Sequence, residues 1–161
     1  RSGDVDPAIV PFIMAKEDLT IGEVKSMLNK HSGLMGISGI SSDMREIEAA
    51  MFEGNQNAAL AFDMFVYRIR KYIGAYTAAM NGLDILIFTA GVGENSGLVR
   101  EKVCESLTFL GLGIDHDKNE NNELKERKIS SEQSKVDVFV IQTNEELVIA
   151  RDTVRLVNES E

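Results

Sequence analysis

Two short apolar runs, LDILIFT at 83–89 and VDVFVI at 136–141, constrain the fold more than any other feature of this sequence. Each has the length of a strand and almost no polar interruption, the mark of a strand buried on both faces. AGVGEN follows the first run and leads to a predicted helix over about 96–110, with Leu98, Val99, Val103, Leu107 and Leu110 inward and Gly111 as its stop. QTNEE follows the second and opens a predicted helix over about 145–157.

Two strand–turn–helix units in succession predict parallel strands with right-handed crossovers and helices over the sheet. Ligands of open parallel sheets sit at the carboxyl ends of the strands, so the turns at 90–96 and 142–146 are expected to line one sheet edge. Both turns end at helix N-termini, where free N–H groups and the helix dipole favour negative charge. Phosphate at one and a metal-holding carboxylate at the other is the expected division. The polar connection between the units, DHDKNENNELKERKISSEQ at 115–133, reads as a solvated loop of little functional interest.

Upstream, the pattern is helical. Asp6 and Pro7 suit the N-cap and first position of a short apolar helix reaching about Met14. Thr20 and Glu23 fit a capping box, and Ile21, Val24, Met27 and Leu28 then recur at helical spacing toward Gly33. A glycine-dotted loop, GLMGISGISS, is expected next, with Ser41 or Ser42 capping a helix over about 43–53 that stops at Gly54. A long helix is expected over about 57–80, with an apolar stripe of Leu60, Phe62, Phe65, Val66, Ile69, Ile73 and Tyr76. At ~1.5 Å per residue it spans roughly 36 Å, the spine of a domain or a partner surface. Asn81-Gly82 ends it.

The 161 residues, 43% hydrophobic, suffice for one domain with its own core. A formal charge of −9 without a basic stripe argues against nucleic acid or an anionic membrane as partner, so any bound phosphate needs local help from single arginines or a metal. Cys104 is the only cysteine, which forbids an intrachain disulfide, suits a reducing cytoplasm, and reads as a buried small side chain on an amphipathic helix. No membrane-length apolar run or signal-peptide pattern is present. The start, RSGDVDP, lacks a Met, and the expectation is a piece of a longer protein.

Gly91 and Gly93 fit either backbone approach to a nucleotide or a tight turn with positive φ. The dinucleotide fingerprint lacks its third glycine, because Ser96 stands there, and no Gly-Lys-Ser/Thr follows to make a P-loop. In TNEE, Thr143 is expected to cap the helix with Glu146 at the N3 place of a capping box, leaving Glu145 for a metal or its bound water. Arg1 precedes a turn-prone Ser2-Gly3-Asp4 that could hold a guanidinium, or is simply exposed. Arg45 falls in the first turn of its helix, against the dipole, which points to an anionic or stacking partner. His31 and His116 lack metal-ligand spacing.

Taken together, RSGDVDP at 1–7, SSDMRE at 41–46, FTAGVGENS at 88–96, the R-x-x-V spacing from Arg100 through Asp115 and TNEELVIARDT at 143–153 resemble the C-terminal part of the acetate kinases. The resemblance implies a ribonuclease-H-like, actin-like ATPase fold, α/β and helix-rich with a short parallel sheet, over 1–161 as one nucleotide-binding domain. It also implies reversible transfer between ATP and acetate giving acetyl phosphate and ADP, with Mg²⁺. By the same resemblance, Arg1 stabilises the transferring phosphoryl group, while Asp43, Met44 and Arg45 meet the adenosine end. Gly91, Val92, Gly93, Glu94 and Asn95 bind nucleotide, and Glu145 helps hold Mg²⁺. The family's other catalytic parts lie before the RSGD motif, so a missing N-terminal lobe, an inactive isolated piece and a homodimer through this domain are expected. Ala90, Val92 and Gln142 stand where the family commonly has Gly, Ile and Pro. Propionate and butyrate kinases share these motifs. A dinucleotide-binding dehydrogenase domain and a non-catalytic interaction module built on the long helix are the readings from other classes.

Overall fold

The computed structural model describes residues 1–121 and 126–159. The chain forms two compact units, Arg1–Lys71 and Tyr72–Glu161.

The first unit is helical: α1 (Ile9–Glu17), α2 (Ile21–Lys30), α3 (Gly33–Ser38), α4 (Met44–Phe52) and most of α5 (Gln56–Met80). Helix α1 starts two residues later than expected: Ala8, not Asp6, is its N-cap, Pro7 falls in the preceding turn, and the Asp6 carboxylate accepts the Ala8 N–H at 2.9 Å ahead of the helix. Pro11 then falls in the first turn, where its missing N–H costs nothing. The capping box of α2 forms in both directions, with Thr20 N–H on Glu23 at 2.8 Å and Glu23 N–H on the Thr20 hydroxyl at 3.3 Å.

Two expectations are corrected here. GLMGISGISS is not all loop, because its first six residues form α3 between two glycines in the left-handed region, Gly33 at φ 60° and Gly39 at φ 68°. Gly33 is obligatory on a second count, since a Cβ there would come 2.3 Å from the Arg1 carbonyl oxygen. The cap of α4 is neither serine but Asp43, which accepts the Arg45 N–H at 2.9 Å, while Ser41 holds the Asp43 N–H at 3.0 Å.

Helix α5 starts on the Asn55 carboxamide, which accepts the Ala58 N–H at 3.0 Å, and ends where Asn81 and Gly82 take positive φ. Of its expected stripe, Phe62 and Val66 are buried together with Ala58 and Ala61, whereas Leu60 and Tyr76 are more than half exposed.

The second unit holds β1 (Ile85–Phe88), α6 (Ala90–Asn95), α7 (Gly97–Glu105), a 3-10 turn at Thr108–Leu110, α8 (His116–Glu120), β2 (Arg127–Lys128), β3 (Asp137–Val140) and α9 (Glu145–Glu159). The sheet order is β1-β3-β2, with β1 parallel to β3 and Phe88 opposite Val140. The short edge strand β2 runs antiparallel to β3, so the sheet is mixed.

Val136, Val138 and Val140 are fully buried, as a central strand requires. The expectation that the first strand is covered on both faces fails: β1 is an edge strand, and Ile85 and Ile87 are half exposed on one face. The connection at 115–133 is likewise not merely a solvated loop. It contributes α8 with a buried Asn119, β2, and the buried Ile129 and Ser130; its residues 122–125 lie outside the described ones. AGVGEN, expected as a turn, is the short helix α6, which breaks at Ser96 before the hydroxyl of that serine caps α7 by accepting the Val99 N–H at 3.0 Å.

Candidate functional site

The parallel pair brings the carboxyl ends of β1 and β3 side by side, with the Ile141 N–H still bonded to the Phe88 carbonyl at 2.9 Å. Beyond them the chain opens a cleft of about 850 Å³ lined by Ala90, Gly91, Glu94, Glu126, Gln142, Thr143, Asn144, Glu145 and Glu146. The two turns expected to share one sheet edge therefore share one cavity.

A hydroxyl that sequence reasoning treated only as a cap ties the turns together. Thr143 donates its proton to Glu94 Oε1 at 2.8 Å, and its backbone N–H reaches the same oxygen at 2.8 Å. With that proton committed, the Thr143 oxygen accepts from the Ala90 N–H at 3.0 Å and from the Thr89 hydroxyl at 3.1 Å. These bonds from Thr143 hold the Glu94 carboxyl below the usual glutamate range. Glu94 thus faces the cleft as a fixed anion that locks one turn to the other.

Because Thr143 is spent on Glu94, it does not cap α9. Asn144 does so instead, accepting the Leu147 N–H at 3.0 Å. The register shifts by one residue, Glu146 leaves the N3 place, and the capping-box reason for setting it aside disappears. Glu145 and Glu146 both stand in the first turn of α9, exposed and lining the cleft.

The glycines also behave differently from the turn reading. Neither Gly91 nor Gly93 has positive φ; that conformation falls on Ala90, at φ 60°. A Cβ on Gly91 would meet nothing within 4 Å, whereas one on Gly93 would rest against Phe88 at 3.4 Å. The fold itself therefore does not ask for glycine at 91, which borders the cleft. Asn95 turns back to its own helix, its amide nitrogen on the Gly91 carbonyl at 2.8 Å, and Val92 is half-buried.

In the first unit, Arg45 finds its anionic partner two residues away. Its guanidinium forks onto Asp43 at 3.1 and 2.6 Å, which brings the Asp43 carboxyl down to about 2. Met44 between them is buried, while Arg45 remains exposed. The Arg1 backbone lies beside Gly33, the chain is held there by the following Ser2 N–H on the Leu28 carbonyl at 2.8 Å, and the Arg1 side chain is exposed. The expected site residues thus fall in both units: Arg1, Asp43, Met44 and Arg45 in the first, Gly91 to Asn95 and Glu145 in the second.

Four carboxylates and no lysine or arginine line the cleft among the described residues. A bare phosphate would be repelled there, and a phosphate carrying a divalent cation would not. No group of three or more carboxylate, imidazole or thiol ligands forms a metal cage among the described residues. The adjacent carboxylates Glu145 and Glu146 in the cleft lining are a donor set of the kind that fits Mg²⁺, which keeps most of its waters and takes one or two carboxylates together with substrate phosphates. No helix among the described residues is long and apolar enough to cross a membrane.

The acetokinase family model matches residues 1–151. The acetate kinase of Halothermothrix orenii is 57% identical over 157 residues, 98% of this chain and 39% of its own length. That of Moorella thermoacetica is 55% identical over the same shares. Among solved structures, Porphyromonas gingivalis acetate kinase superposes with a TM-score of 0.87 at 50% identity, over 98% of this chain and 39% of that one. A Francisella tularensis propionate kinase reaches 0.82 at 42% identity, over 93% and 38%. The chain belongs to the acetokinase family, has its α/β fold, and spans about two-fifths of the length of these relatives.

Proposed function

We propose that this chain supplies the nucleotide-binding part of an ATP-dependent carboxylate kinase that interconverts acetate and ATP with acetyl phosphate and ADP. The observation that carries the reading is the acidic cleft at the carboxyl ends of β1 and β3, bordered by Gly91 on one side and Glu145 on the other. It combines open space beside a glycine the fold does not need with carboxylates that favour a metal-bearing phosphate.

In this reading Gly91 to Asn95 receive the nucleotide, with Gly91 allowing close backbone approach and Glu94 and Thr143 fixing the walls. Glu145 is the residue that would hold Mg²⁺ in the cleft. When bound, the cation neutralises charge on the transferring group. Asp43, Met44 and Arg45 meet the adenosine end, where the fork from Arg45 to Asp43 leaves the flat guanidinium preoriented for stacking. Arg1, exposed and tethered by its backbone, supplies positive charge to the equatorial oxygens in transfer. Acetate is the nucleophile, so no protein nucleophile is required.

The remaining machinery belongs to the part of the relatives' length that this chain does not span, and the piece alone is inactive. The protein is cytoplasmic and homodimeric, with the exposed Leu60, Met64 and Tyr67 of α5 as the dimerising surface. The propionate kinase neighbour keeps propionate as a second acceptor.

The test uses the full-length protein with Mg-ATP and acetate, trapping acetyl phosphate as the hydroxamate. Product should form, and Glu145→Ala and Arg1→Ala should each lower the rate on the order of 10²- to 10³-fold. Stabilisation by NAD but not by Mg-ATP would overturn the reading.

A further inference from the structure

The last carbonyls of the GVGEN helix are held by a buried cation. Arg100 on α7 is 0% exposed, and its guanidinium is shared among four acceptors. One terminal nitrogen donates to the carbonyls of Gly93 and Glu94, both at 2.9 Å, and the other to the Asn119 carbonyl at 2.6 Å. Its Nε donates to the Asn119 side-chain oxygen at 2.7 Å.

The Gly93 and Glu94 carbonyls are last-turn acceptors of α6, which have no partner within their own helix. The positive charge also sits at the negative end of that helix. Asn119, 0% exposed on α8, closes the arrangement by donating its amide to the Gly97 carbonyl, at the start of α7, at 2.9 Å. A guanidinium held by carbonyls is directional, because each N–H has one place to point. Shifting α6 relative to α7 and α8 would break several of these bonds at once and strand a buried charge.

We propose that Arg100 and Asn119 are positioning residues that set where the GVGEN segment stands against the cleft, and so tune nucleotide binding without touching nucleotide. The nucleotide part of this rests on the function proposed above. Arg100 acts from behind the segment and Asn119 acts through Arg100. Of the two, Asn119 comes from the connection that the sequence pattern left without a role.

The experiment compares Asn119→Ala with Asn119→Asp in the full-length protein. Aspartate keeps the acceptor for Arg100 and adds a charge that pairs with the buried guanidinium, while losing the amide donor to Gly97 and the long one to Glu120 at 3.4 Å. Under conditions where thermal melts show each variant folded, Asn119→Ala should raise KM for Mg-ATP roughly tenfold or more. KM for the carboxylate should stay within about twofold, and Asn119→Asp should recover most of the loss. Backbone hydrogen exchange at 93–96 should quicken about tenfold in the alanine variant alone, with α5 unchanged.

A merely structural role would lower the amount of active protein and leave KM unmoved. Unchanged exchange at 93–96, an unchanged nucleotide KM, or equal shifts in both KM values overturn the proposal. A parent protein that binds no Mg-ATP refutes the functional reading and the nucleotide part of this one, and exchange alone then decides whether the pair holds GVGEN.

Discussion

Ala90 occupies a backbone conformation that belongs to glycine, and replacing it tests the local geometry of the cleft. At φ 60° an alanine Cβ crowds the following carbonyl, at about 1–2 kcal/mol. The conformation is imposed because the Ala90 N–H is held by the Thr143 hydroxyl at 3.0 Å. Glycine removes the crowding but adds about 0.5–1 kcal/mol of backbone entropy to be lost on folding. The Ala90 side chain is exposed, so deleting it sacrifices no packing. Ala90→Gly should therefore stabilise the protein by about 0.5–1 kcal/mol. Urea unfolding of the full-length protein reads this as a higher midpoint at unchanged slope. Ala90→Val, β-branched in the same conformation, should move the midpoint the other way. A lower midpoint for glycine together with a neutral valine would refute the reasoning, because residue 90 would then not be held in the left-handed region.

Further outcomes follow from the same structure. Cys104 is 2% exposed and burial pushes its thiol up to about 12, so a thiol reagent at pH 8 should leave it unmodified in the folded protein and label it promptly in denaturant. Thr143→Val removes the donor to Glu94 and the acceptor for Ala90, and should cost about 1 kcal/mol measured by denaturant at neutral pH. Because the Glu94 carboxyl is lowered in the folded protein, its contribution is present above the ordinary glutamate pKa of about 4.3 and is lost as pH falls through the lower folded value. Stability measured from pH 6 down to 3 should accordingly fall less steeply in Thr143→Val than in the parent.

The parallel strands, the helices with strong caps and the shared cleft were legible because each rests on local chemistry: apolar runs, a Thr-to-Glu capping box, Asn81-Gly82 as a stop. The burial of β1 was not, because exposure of Ile85 and Ile87 depends on which strand becomes the edge, and no residue of LDILIFT records that. The misplaced cap of α9 has the same origin. Thr143 could serve either its own helix or Glu94, forty-nine residues away, and the long-range partner won. Arg100 and Asn119 were hidden for a related reason, since a charged or amide side chain reads as solvated until its long-range partners are known. For α6, GxG suggested a turn, yet only Ala90 departs from ordinary φ, and AGVGEN closes into a helix whose last carbonyls Arg100 satisfies.

The most direct test of the nucleotide reading is Gly91→Ala in the full-length protein, with stability and kinetics measured together. The added methyl meets nothing in the fold, and alanine in a helix is favoured over glycine by up to about 1 kcal/mol. Stability should be unchanged or higher, the KM for Mg-ATP should rise roughly tenfold and the KM for acetate should stay unaltered. A nucleotide KM within about twofold of the parent, or a loss of activity that tracks a loss of stability, would contradict the nucleotide reading.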